Sequence, residues 1–271
     1  MKFLTLNTHS WMEENQTAKL RQLAQFIHQQ QVDLIALQEV NQSLTAPVVA
    51  SPLHFMNPGD EVIKEDNFAL QLVQYLAKEW QESFQWTWTK NHLGFDRFDE
   101  GVAILTKLPV QTAFRYPLSQ ATDPNDFHTR IAVGVQLKNH WAALSLHSSW
   151  WRSPQTKQLC FPYEAERLNQ LKQHFTAPLF LLGDFNNPSH IAKEGYQLMS
   201  ENWFDTYLLA QQQRGRYTME GEIAGWSGNG QGQRIDFIFS NQSLPISSAQ
   251  IVFDGREQPV ISDHYGYLIQ F

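Results

Sequence analysis

Leu181-Leu182-Gly183-Asp184-Phe185-Asn186 is the stretch on which the reading of this chain turns. An apolar run beginning at Leu179 reads as a buried strand that meets Gly183 and then presents Asp184 and Asn186, which share one face at strand period. A strand fixes its backbone, so a carboxylate at its end is held at a sheet edge with little freedom to drift. The same ending recurs along the chain: Asn7, Glu39, His147 and Asp236 all adjoin apolar runs. Taken singly, each is better read as a cap on a loop or helix. Their accumulation points to one site assembled from several strand ends.

Working outward, Phe3 to Asn7, Asp33 to Val40, Val102 to Leu105, Ile131 to Leu137, Ala142 to His147, Leu179 to Asp184, Ile235 to Phe239 and Tyr267 to Phe271 read as strands. Helical spacing links Leu20, Leu23, Ala24 and Ile27, then Phe68, Leu72, Leu76 and Trp80, then Ala165, Leu168, Leu171 and Phe175. Asp66 is expected as a helix cap and Pro162 as a first-turn proline. Strands such as Ile131 to Leu137 and Ala142 to His147 lie too close together for a crossover helix. An α/β (α+β) architecture of mixed or antiparallel sheet with outer helices follows. The absence of a Pro/Gly/Ser-rich linker, a repeat or a low-complexity tract predicts one domain over residues 1–271.

Lys+Arg number 20 and Asp+Glu 27, a formal net charge of -7 that repels a polyanion unless a basic cleft overrides it. Lys90, His92 and Arg97 form a loose positive group, offset by Asp96, Asp99 and Glu100. One cysteine, Cys160, excludes an internal disulfide and suits a reducing compartment. The amino terminus turns polar at once, without the apolar core of a signal peptide, and no apolar run approaches the ~20 residues of a membrane span. A cytoplasmic protein that engages neither membrane nor nucleic acid is expected. The oligomeric state is not legible.

Beyond these readings, the motifs resemble those of the endonuclease/exonuclease/phosphatase superfamily, with its deoxyribonuclease I-like fold. Thr5-Leu6-Asn7, Leu37-Gln38-Glu39, Gly101 to Leu105, Leu146-His147, Gly183 to Asn186, Arg234-Ile235-Asp236 and Ser262-Asp263-His264 occur in the family's order. The resemblance implies a four-layer α/β/β/α sandwich of two mixed sheets and a metal-dependent phosphoesterase. It places Glu39 as principal ligand of a divalent ion, with Asn7 and Asp263 assisting. Hard oxygen donors in small number suit Mg²⁺, with Mn²⁺ as a substitute. By the same resemblance Asp184 orients and helps deprotonate the attacking water, Asn186 holds water or phosphate, His264 donates to a phosphate oxygen and Asp236 orients His264. His147 contacts phosphate or helps the leaving group, and Arg130 grips phosphate with its planar fork. Against the family pattern, His9 is expected to be a packed histidine and Glu100 a loop residue.

The substrate must be chosen by the rim of the site. Trp11, Trp150, Trp151 and Trp226 lie close to motif segments, and indole faces pack well on sugar rings. Gly225-Trp226-Ser227-Gly228-Asn229-Gly230 reads as a lid or a plain surface loop. Leu6 to Glu14 also resembles a bacterial branch that includes maltose 6'-phosphate phosphatase. The expectation is therefore phosphomonoester hydrolysis on a small phosphorylated sugar. A nuclease would want a basic groove, and a secreted sphingomyelinase an export signal and an apolar docking hairpin. A silent binding protein would not need Glu39, Asp184, Asn186, Asp236, Asp263 and His264 together.

Overall fold

The structure is a computed structural model that describes residues 1–221 and 232–271. In chain order the strands are β1 (Lys2–Asn7), β2 (Leu34–Ser43), β3 (Gln85–Gly94), β4 (Phe98–Thr106), β5 (Val110–Pro117), β6 (Ile131–Leu137), β7 (Ala142–His147), β8 (Leu179–Asp184), β9 (Phe204–Asp205), β10 (Gln212–Arg214), β11 (Asp236–Ser240), β12 (Ser248–Val252) and β13 (Gly266–Gln270). The helices are α1 (Gln16–Gln30), α2 (Phe68–Trp80), α3 (Phe161–Lys172), α4 (Gly195–Ser200) and α5 (Thr206–Leu209). A seven-stranded sheet runs β10-β12-β13-β1-β2-β4-β3, and a six-stranded sheet runs β5-β6-β7-β8-β11-β9. Both are mixed: β1 with β2 and β7 with β8 are parallel, while most other pairs are antiparallel.

The period of two along each strand builds the layers. Phe3, Leu34, Ala36, Val102 and Ile104 of the first sheet meet Val133, Val135, Phe180, Leu182 and Ile238 of the second, forming the central core. Their neighbours Leu4, Leu6, Ile35, Leu37, Ala103 and Leu105 face the other way and pack under α1 and α2. On the second sheet Leu144, Leu146, Leu179, Leu181, Phe237 and Phe239 turn outward to Ala165, Leu168 and Leu171 of α3. The layers thus stack in the order α/β/β/α, and the four-layer sandwich of two mixed sheets with outer helices is what the chain forms. Truncating any one of these core leucines to alanine would cost about 2–5 kcal/mol.

Several local expectations are corrected. Asn67, not Asp66, caps α2, its side chain accepting from the N–H groups of Ala69 and Leu70. Asp66 instead accepts the N–H of Ser43 at 3.0 and 3.2 Å. Glu100 is not a loop residue but lies within β4, 5 % exposed. Phe175 falls past the end of α3 yet still packs on the outer core. Pro162 does stand in the first turn of α3.

At one end of the sandwich the two sheets are joined by polar groups. Gln38 Nε2 donates to Ser145 Oγ (3.0 Å), Ser145 Oγ donates to the Leu37 carbonyl (2.9 Å), and Thr5 Oγ1 donates to Gln38 Oε1 (3.2 Å). All are buried, so each bond is needed to offset its desolvation. This bridge sets the spacing of the sheets beside the strand ends that carry the candidate site.

Candidate active site

Strand register assembles the site. In the parallel pair β7–β8, His147 stands opposite Asp184, and in the antiparallel pair β8–β11, Asp236 stands opposite Asp184. Opposed residues point to the same face, so His147, Asp184 and Asp236 form a row at the edge of the second sheet, turned toward the first. Asn7 ends β1 on the facing sheet, and its Nδ2 donates to Asp184 Oδ2 (3.1 Å) and to Glu39 Oε1 (2.9 Å). The Asp184 carboxylate also accepts the Asn186 N–H (2.8 Å). Ser262 Oγ donates to the Asn7 carbonyl (2.7 Å), tying the segment of Asp263 and His264 to β1.

Glu39 needs a break in the strand to join them. Strict alternation in β2 would send it with Ile35 and Leu37 toward the helices. The pairing of β2 with β4 shifts between Leu37 and Val40, a bulge at which Glu39 adopts φ +51°. A bulge re-aims the side chain, here into the cleft. Left-handed backbone recurs at His9, Phe95 and Asn186 around the same cleft, the clustering expected where geometry is imposed by function.

The charges are arranged in opposition. Burial disfavours a charged His264, but Asp236 and Asp184 outweigh it and hold the imidazole protonated well above its ordinary range. Its Nδ1 lies 3.0 and 3.2 Å from the Asp236 oxygens and its Nε2 3.7 Å from Asp184 Oδ2. His147 behaves oppositely: burial, then the neighbouring Arg130, push its pKa well down, so it is neutral. Asn186 Nδ2 lies 3.0 Å from His147 Nε2 and donates to the Ser148 carbonyl at 3.0 Å, so the neutral imidazole accepts on Nε2. Burial raises the Asp184 pKa to about 7, with Asp236 adding to the rise and His264 opposing it.

Glu39 stands among other carboxyl groups. Burial, then Glu100 and Asp263, push its carboxyl up to about 8. Among the described residues no lysine or arginine pairs with it, and Asn7 is its hydrogen-bond donor. Four carboxyl groups, those of Glu39, Glu100, Asp184 and Asp263, face one cleft and form a hard oxygen set that fits Mg²⁺ or Mn²⁺. Asp184, Asp236 and His264 also bring ligand atoms within 4.8 Å of one another, as do His9, Glu13 and Asp263.

The cleft measures about 240 Å³. Glu39, Asp184, Asn186, His147, Asp263, His264, Arg130 and Trp150 line it, and Asn7 and Asp236 stand behind them. Arg130 is 3 % exposed, and its Nε and Nη1 have no hydrogen-bond partner. Such donors, buried without an acceptor, are costly unless a ligand supplies one. The rim holds Phe95 and Phe127, which carry no motif, and the wall holds His92 and Glu100, expected from the sequence as part of a loose charged group and as a loop residue. His9 is not packed away: it lines the cleft, with Nδ1 2.8 Å from Glu13 and 3.8 Å from Asp263. Trp151 leaves the cleft and packs on the outer core of the second sheet. Trp11 is held by its Nε1, which donates to the Asp66 carbonyl, and packs under the helices. Trp226 and the loop 225–230 lie outside the described residues.

Solved structures share this architecture. An endonuclease/exonuclease/phosphatase family protein from Leptotrichia buccalis C-1013-b superposes with TM-score 0.85 at 27% identity, over 100% of this chain and 98% of that one. A mannosyl-6-phosphatase from Bacteroides thetaiotaomicron VPI-5482 matches at TM-score 0.63 and 15% identity, covering 100% and 98%. A 3' phosphatase from Neisseria, solved with a product DNA hairpin, matches at 0.64 and 18%, covering 100% and 99%. At such identities the last two show the fold alone. No curated protein sequence matches the chain. Residues 11–264 match the sequence model of one family, and the chain belongs to it: the Endonuclease/Exonuclease/phosphatase family.

Proposed function

We propose that this chain is a divalent-metal-dependent phosphomonoesterase acting in the cytoplasm on a sugar phosphate, with maltose 6'-phosphate as the sharpest candidate. The observation that carries the reading is the buried, unpartnered guanidinium edge of Arg130, which shares its cleft with a protonated His264 and an acidic wall. Cationic donors beside carboxylates are what binding a phosphoryl group together with a divalent ion would require. The aromatic rim of Phe95, Phe127 and Trp150 and the net charge of -7 favour a small sugar ester over a nucleic acid.

Glu39, with Asn7 and Asp263, would hold Mg²⁺ or Mn²⁺, and the bound ion would offset charge on the phosphoryl oxygens. Asp184, its carboxylate fixed by Asn7 and the Asn186 N–H, takes the proton of the attacking water as the water oxygen bonds to phosphorus and the P–O bond to the sugar breaks, the departing sugar oxygen taking a proton from solvent. His264 donates from Nε2 to a phosphoryl oxygen while its Nδ1 stays on Asp236. Arg130 binds further oxygens through its paired donors. Neutral His147 accepts from Asn186 and so orients the amide toward the water or phosphate. Each group is in place before any charge develops, so little reorganisation accompanies the step.

The purified protein is incubated with a panel of sugar phosphates in Mg²⁺ or in chelator while free phosphate is measured, with plasmid nicking followed in parallel. Metal-dependent phosphate release from sugar monoesters, without nicking, is the expected result. Nicking without phosphate release overturns the substrate class.

A further inference from the structure

Behind the wall of the cleft lies a second cavity of about 270 Å³, at the N-terminal end of α3. The two cavities are divided by two short segments. Phe127 faces the cleft and the adjacent His128 the cavity, while Trp150 faces the cleft and Ser149 the cavity. Nothing in the phosphoryl chemistry uses this space.

Its floor contains Glu164, which is 1 % exposed. Oε2 of Glu164 accepts the Ser149 N–H at 2.9 Å, whereas Oε1 has no hydrogen-bond partner of good geometry, although the Ser148 side chain lies beside it. A buried carboxyl oxygen without a partner calls for a donor from a ligand. Burial raises the Glu164 pKa above its ordinary value, with the Ser149 and Ser148 groups and Arg130 opposing the rise. An acidic side chain in the floor disfavours an anionic ligand. Asp126 is already occupied, its Oδ1 2.8 Å from His128 Nδ1. At the mouth, Leu159 and Tyr163 are 49% and 41% exposed and present apolar surface beside polar groups. A neutral ligand with hydroxyl donors and a C–H face fits this mixture, and the volume admits one ring, small beside typical ligand pockets of ~300–1,000 Å³.

We infer that this cavity is a subsite for a neutral pyranose ring, the unphosphorylated part of the substrate whose phosphate enters the neighbouring cleft. The inference deepens the sugar-phosphatase reading and rests on it. A substrate of two rings would place its ester against Arg130 and its second ring beyond the ridge of Phe127 and Trp150, with a ring hydroxyl donating to Glu164 Oε1.

The test has two arms. Isothermal titration of the wild-type chain with glucose, mannose and maltose should show saturable millimolar binding, weakened about tenfold by Tyr163→Ala, as expected for losing one ring-stacking contact. Tyr163 is half-exposed at the rim, so this variant is expected to fold, and Glu164→Gln provides a second, buried probe. In kinetics, Tyr163→Ala should raise KM for a disaccharide phosphate about tenfold while KM and kcat for p-nitrophenyl phosphate stay unchanged. No saturable sugar binding, or equal KM changes for both esters, overturns the subsite. Sugar binding without phosphate release from any ester would instead sink the reading of the cleft and leave the sugar site standing.

Discussion

Gly183 is where the backbone itself excludes a side chain: a Cβ there would lie 1.9 Å from the Leu146 carbonyl oxygen. The parallel pair β7–β8 brings His147 beside Asp184 only because the residue before Asp184 has none. Gly183→Ala should therefore destabilise the protein by about 1–3 kcal/mol in urea unfolding and lower turnover as well, since the displaced strand carries Asp184. A neutral result in both would mean the strands can part without cost. Asp184→Asn tests chemistry instead, and kcat should fall about 10²–10⁴-fold while the protein still melts cooperatively and no earlier than wild type. For Arg130→Lys the charge survives but the fork does not, so KM should rise by about tenfold or more. The polar residues that end apolar strands were legible because they break a hydrophobic run. Glu100 was not, for it sits inside a strand where only the paired register shows that it faces the cleft and presses on Glu39.

Elements were readable where apolar runs stop sharply. The bounds of β6, β7 and β8 follow directly from Ile131 to Leu137, Ala142 to His147 and Leu179 to Asp184. Strand β3 escaped because Trp86 and Trp88 bury themselves under the helices while Thr87 and Thr89 are buried on the other side, leaving no polar alternation to detect. Strand β5 escaped for the opposite reason, being an edge strand with most of its residues in contact with solvent. The cap of α2 was misplaced by one residue, since Asp66 and Asn67 both suit an N-cap and only the fold assigns Asp66 to Ser43. Asn67→Ala should cost about 1 kcal/mol, read as a lower midpoint in thermal unfolding. Asp99 of β4 makes a pH-dependent clamp, with Lys64 at 2.8 Å and Lys90 at 2.6 Å. Burial works against its charge, yet these two lysines hold its pKa below the usual value. A depressed carboxyl stabilises the fold above its unfolded pKa of about 3.9 and loses that contribution as pH falls through the lower folded value. Asp99→Asn should therefore be less stable than wild type at neutral pH and equal to it in strong acid, and a constant gap across that range would remove the clamp.

At the scale of the whole molecule the site joins distant parts of the chain, β1 near its start and His264 near its end, through pairings that no local pattern encodes. Alternation implied mixed sheets with outer helices, and the family resemblance supplied the four layers, because which sheet faces which depends on long-range register. The convergence has a thermodynamic consequence. Burial raises the carboxyls of Glu39 and Asp184 to about 8 and about 7, so the fold without a cation favours their protonated forms. A carboxyl raised in this way supports the fold fully below its unfolded pKa of about 4, and that support is lost as pH rises through the folded value. The metal-free protein should accordingly lose stability between about pH 4 and pH 8. A cation held by the ionised carboxylates binds better as pH rises, so Mg²⁺ should flatten that decline. At a hundredfold excess over Kd it should add about 2.7 kcal/mol, several degrees in Tm. Glu39→Gln keeps an oxygen that can accept from Asn7 but carries no charge to bury. Its metal-free Tm should exceed that of wild type at pH 8, and its response to Mg²⁺ should be nearly absent. Melting curves of both proteins with Mg²⁺ and with chelator at pH 6 and pH 8 decide the matter: a wild-type Tm indifferent to Mg²⁺, or a variant that responds as wild type does, would place the cation away from Glu39.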